Sequence, residues 1–95
     1  MAPEKPTNSN TPEGLTFPCE YPVKAMGTNS DDFQQSIYQC IKQHAPEVSR
    51  ESIQTKASKT GKYLSVTVLV YAQSREHLIN IYQDVRQLDG VVWTL

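Results

Sequence analysis

Cysteine is scarce in this 95-residue chain, with only two residues, so no framework of cross-links holds a small fold together. Glycine is nearly as rare, at four residues, and none falls into a phosphate-cradling loop or the turn of a nucleophile elbow. Long hydrophobic runs are missing too. No segment approaches the roughly 18–20 apolar residues of a membrane span, and the first residues lack the apolar stretch of a secretory leader, so a cytoplasmic location is expected. Neither charge sign dominates: nine Lys and Arg against ten Asp and Glu leave a net charge of −1 and a pI near 6.1. A dedicated duplex-DNA binder needs a concentrated positive field, and nucleic acid is therefore not the expected partner.

What is present points to one small domain. Residues 1–16 carry Pro3, Pro6 and Pro12 among Thr, Asn, Ser and Glu, and read as a polar, disordered arm. Residues 17–95 must supply the fold. So few residues bury only a modest core, and a homodimer is one expectation that follows.

The strongest local signal is Tyr63 to Ala72. Leu64, Val66, Val68 and Val70 are aliphatic at every second position, while Ser65 and Thr67 face the other way. This alternation predicts a strand with one face in a core and the other open. Tyr21 to Met26 reads as a first strand, with Pro22 expected at its start because it cannot donate a ladder hydrogen bond. Ser30 suits a helix N-cap and Asp31 and Asp32 its positive end. Phe33, Ile37, Cys40 and Ile41 then recur at helical spacing, and Ala45-Pro46 stops the helix. Ser52 to Ser58 reads as an edge strand joined to the long one by the turn Lys59-Thr-Gly-Lys62. Ser74 caps a second helix with Leu78, Ile81, Tyr82, Val85 and Leu88 inward, and Gly90 leads into a last strand at 91–95.

The order β-α-β-β-α-β is the split pattern of the ferredoxin-like fold, an α+β sandwich. Two right-handed crossovers give a four-stranded antiparallel sheet of order 4-1-3-2 with both helices on one face.

Three runs carry a family resemblance: residues 17–27 (FPCEYPVKAMG), His44-Ala-Pro46, and residues 58–67 (SKTGKYLSVT). Together they resemble the YbeD-like family of small bacterial proteins over residues 17 to 95. The resemblance implies an ACT-like version of the same fold. It also implies a module that binds small effectors or other domains and performs no chemistry of its own. In ACT modules the glycine after the first strand lies against an amino-acid effector. Gly27 matches that position, which makes Gly27, Thr28 and Asn29 a candidate ligand loop. The competing reading gives Gly27 to turn geometry and the acids to capping.

Two further candidates come from the residues themselves. Strand parity puts Lys24, Lys56, Tyr63, Ser65, Thr67 and Tyr71 on the open sheet face, beside Lys59 and Lys62 of the hairpin. Tyrosines on a flat sheet suit a protein interface. A stacking surface for RNA is the weaker alternative, because the first strand offers Pro22 and Lys24 where a ring is wanted. The topology also draws Cys19, Cys40, His44 and His77 toward one edge, a set that would suit tetrahedral zinc. Their spacing lacks the paired short loops of structural zinc sites, and Cys40 lies on the apolar stripe, so no metal or cofactor is expected. Nucleophilic use of Cys40 with His44 fails on the same burial. The expectation is a non-catalytic module that binds a protein partner through its open sheet face or a strand edge.

Overall fold

A computed structural model describes residues 15–94. The expected arm therefore lies, for residues 1–14, outside the described residues. The elements run β1 (Cys19–Thr28), α1 (Asp31–His44), β2 (Ile53–Ala57), β3 (Tyr63–Ala72), α2 (Arg75–Arg86) and β4 (Val91–Thr94), with one turn of 3-10 helix at Arg50–Ser52 before β2. The four strands form an antiparallel sheet of order β2-β3-β1-β4, the ferredoxin-like order expected above.

Each helix starts where its cap residue dictates. The Ser30 hydroxyl accepts from the Phe33 amide and the Ser74 hydroxyl from the His77 amide, both at 3.1 Å. Helix α1 ends at His44, and its C-cap Ala45 (φ −140°, ψ 81°) lies outside the α region, as the proline that follows requires. Gly90 turns the chain into β4 with φ of +88°, a conformation that side chains resist.

One layer of apolar side chains joins helices to sheet. Val23 and Ala25 of β1 and Leu64, Val66, Val68 and Val70 of β3 meet Phe33, Ile37 and Ile41 of α1. Leu78, Ile81, Tyr82 and Val85 of α2 complete it, and all of these are buried. Tyr82 is the largest fully buried side chain. Its hydroxyl has the Tyr21 phenol and the Lys24 backbone as partners, which meets the demand of a buried polar atom. Burial holds that phenol far above its ordinary range.

Two details differ from the sequence reading. Strand β1 is longer than 21–26, and Pro22 is its fourth residue, opposite Leu69, instead of its first. The reason lies on the other side of β1. Among the described residues β4 pairs only with Ala25 to Gly27, so the Cys19–Lys24 stretch has a free edge where a proline is tolerated. Second, β4 meets β1 through a bulge. Met26 faces Trp93 and Gly27 faces Val91, so Val92 is the extra residue and is turned outward.

Candidate functional site

The register sorts every strand residue onto one of two faces. On the helix-free face, β3 presents Tyr63, Ser65, Thr67, Leu69 and Tyr71, and the opposing positions of β1 are Thr28, Met26, Lys24, Pro22 and Glu20. Strand β2 adds Lys56 opposite Ser65 and Gln54 opposite Thr67. Strand β4 adds Trp93, level with Met26. The six residues placed there from sequence (Lys24, Lys56, Tyr63, Ser65, Thr67, Tyr71) all share this face. Glu20, Pro22, Met26, Thr28, Gln54, Leu69 and Trp93 were not placed on it. For Leu69 the signal was available, since it shares parity with Thr67; Trp93 needed the β1–β4 register, which a four-residue strand does not reveal.

This face is uncovered among the described residues. Tyr63, Leu69, Tyr71 and Trp93 keep 37%, 43%, 45% and 43% of their surface exposed. Large apolar side chains left open on one flat face are the informative departure from an ordinary surface. Its middle is a shallow polar groove lined by Lys24, Gln54, Lys56, Ser65 and Thr67, with Thr55 at its margin. A second depression beside Pro22, Thr67 and Leu69 includes Glu51 and Ser52.

Charge along the face is segregated. At the hairpin end stand Lys56, Lys59 and Lys62, the last with its ammonium 5.8 Å from the centre of the Tyr63 ring. At the opposite end stand Glu20 (level with Tyr71), Glu51, and Glu47, whose carboxylate accepts from the Tyr71 amide at 3.2 Å. That amide lies past the end of β2, so Glu47 satisfies an edge donor that no strand reaches.

The candidate ligand loop has structural work of its own. Gly27 is buried, and a Cβ there would strike the Gly90 carbonyl oxygen and lie 2.5 Å from Cε1 of Phe33. The Thr28 amide donates to that same Gly90 carbonyl at 3.2 Å, tying β1 to the approach of β4. The Asn29 side chain donates to the Gly61 carbonyl at 2.8 Å and its backbone amide to the Lys62 carbonyl, pinning the hairpin. The glycine is thus demanded by Phe33 and Gly90.

The cysteine and histidine quartet is not assembled as a metal site. Among the described residues no group of three or more His, Cys, Asp or Glu is placed to hold an ion. His77 spends Nδ1 on the Gln73 amide at 3.0 Å and Nε2 on the His44 carbonyl at 2.7 Å. His44 gives Nε2 to the Asp84 carboxylate at 2.6 Å, linking α1 to α2. Cys19 and Cys40 are both free and half-buried. Burial, and then the nearby Asp84 carboxylate, pushes the Cys40 thiol up from its ordinary value, the opposite of an activated nucleophile.

Topology and face together define the class: a two-layer α+β sandwich with two helices on one side of an antiparallel sheet and, among the described residues, nothing on the other. A family model described as "Protein of unknown function (DUF493)" matches residues 12–95, and the chain belongs to that family. It is 37% identical over 81 residues to a UPF0250 protein of Hahella chejuensis, covering 85% of this chain and 89% of the relative. A UPF0250 protein of Ectopseudomonas mendocina is 38% identical over 76 residues, covering 79% and 83%. The resemblance to the YbeD-like family thus holds. The solution structure of HP0495 from H. pylori is similar in fold, with a TM-score of 0.73 over 99% of this chain and 98% of that one; at 23% identity it speaks for fold alone. No helix among the described residues is long and apolar enough to cross a membrane.

Proposed function

We propose that this protein is a non-catalytic interaction module that docks a protein partner on its open sheet face. The observation that carries the reading is the uncovered row Tyr63, Leu69 and Tyr71, with Trp93 to the side, opposite a helix layer that buries Val23, Ala25, Leu64, Val66, Val68 and Val70. Aromatic anchors around a polar centre are the composition that protein interfaces favour. The chemistry elsewhere supports the non-catalytic part. His44 and His77 are committed to internal partners, and the Cys40 thiol is held protonated.

The test is co-purification from the native cell with mass spectrometry, using wild type, Tyr71→Asp and Leu69→Glu. Both side chains are exposed, so the variants should fold as wild type does, which thermal melting checks. Partners that wild type retains and both variants lose are the expected result. Identical partner sets for all three would refute docking at this face.

A further inference from the structure

We propose that a second copy of this chain covers the open sheet face, the two sheets packing face to face about a two-fold axis that runs across the strands. The proposal deepens the docking reading above and rests on it. Its argument is charge complementarity of the face with itself. Three lysines (Lys56, Lys59, Lys62) occupy the hairpin end and three glutamates (Glu20, Glu47, Glu51) the other, on either side of the Gln54–Thr67–Lys24 row. A two-fold along the strands would set lysine on lysine. A two-fold across them reverses each strand against its own copy, so the basic end of one sheet meets the acidic end of the other.

The same operation matches the apolar residues. Counted from the central row, Tyr63 lies two rows to one side and Tyr71 two rows to the other, so each tyrosine of one copy comes over the other tyrosine of its partner. Leu69 comes over Ser65, and Met26 over Pro22. Lys56, opposite Ser65, comes over the Leu69 row of the partner, where the 3-10 turn before β2 brings Glu51 and Ser52 into the depression beside Leu69. Stacked sheets keep their strands within about 30° of each other, which preserves this row matching near the centre. Lys24 meets its own copy at the axis, and its four-carbon stem allows the ammonium to reach the interface rim. No salt bridge among the described residues engages Lys56 or Glu51, so both are available to a partner. A patch four strands wide is small, which places the dimer at the weak end of specific interfaces, roughly micromolar.

Sedimentation velocity over a dilution series from about 1 mM to about 1 μM tests this. Wild type is expected to shift from dimer to monomer within the series. Lys56→Glu and Glu51→Lys should each raise the dissociation constant about tenfold, because every swap acts twice across a two-fold and replaces attraction with repulsion. The double swap should return it to within about threefold of wild type. Melting curves confirm that all variants fold. Three results overturn the second copy: a monomer at the highest concentration, a dimer indifferent to the single swaps, or a double swap that fails to restore it. A monomeric wild type that still loses a cellular partner on Tyr71→Asp would assign the face to a different protein, leaving the docking reading intact. A monomer whose partner set ignores Tyr71→Asp would end both.

Discussion

Gly27→Ala separates a glycine kept for packing from one kept for a ligand. The backbone at Gly27 is ordinary, since Gly27 is not among the described glycines with positive φ, so alanine meets no torsional objection there. The cost is space alone. The new methyl group would overlap the Gly90 carbonyl, which is backbone and bonded to the Thr28 amide, and would press on the Phe33 ring from 2.5 and 2.6 Å. Overpacking a tight core costs about 1–3 kcal/mol, and the lower entropy of the unfolded alanine chain takes back about 0.4–1 kcal/mol. A net loss of about 1–2 kcal/mol in a domain this size lowers Tm by about 5–15 °C. Gly61 is the control. A Cβ there meets nothing within 4 Å, but φ is +77°, so Gly61→Ala carries only backbone strain and Gly61→Asn should recover most of it. The assay is thermal unfolding by circular dichroism in ligand-free buffer. If Gly27→Ala melts within about 2 °C of wild type, the packing argument is wrong, because that loss would be under about 0.5 kcal/mol.

Removing the hairpin pin by Asn29→Ala should cost about 0.5–1.5 kcal/mol, visible as a lower denaturant midpoint at unchanged slope. Ser30→Ala and Ser74→Ala each remove a helix cap and should cost about 1 kcal/mol by the same measurement, whereas Ser65→Ala on the open face should be near neutral. Cys40 should be alkylated by iodoacetamide more slowly in the folded than in the urea-unfolded protein, with the folded rate still climbing above pH 9.0, where the unfolded rate levels off. The linked sign is fixed: the folded thiol keeps its proton longer, so its stability contribution is intact below pH 9.0 and is lost as pH climbs beyond it. A folded rate equal to the unfolded one would contradict the burial of that thiol.

The fold was legible because its signals are local and agree with one another. Leu64, Val66, Val68 and Val70 alternate, Phe33, Ile37 and Ile41 recur at helical spacing, and Ser30, Ser74 and Gly90 mark the ends. Pro22 was misplaced because proline's tolerance depends on how far β4 extends, which no local pattern carries. Half of the open face could be read from the parity of β1, β2 and β3. Trp93 could not, because its direction is set by the bulge opposite Met26 and Gly27. The charge segregation escaped notice for a similar reason. Glu47 and Glu51 lie outside the strands, and only the chain's path around the sheet edge brings them to the Tyr71 end. Topology does bring His77 to His44, but the His77 ring meets the His44 carbonyl and the His44 ring meets Asp84, contacts that depend on helix packing and that no local pattern carries.

Trp93 is the single tryptophan of the chain and stands on the face in question, so its fluorescence reports directly on whether that surface is open. In dilute protein we predict red-shifted emission that acrylamide quenches readily, because among the described residues nothing shields the ring. Blue-shifted emission that resists acrylamide at the same dilution would mean that the chain roofs its own sheet, and no docking surface would remain.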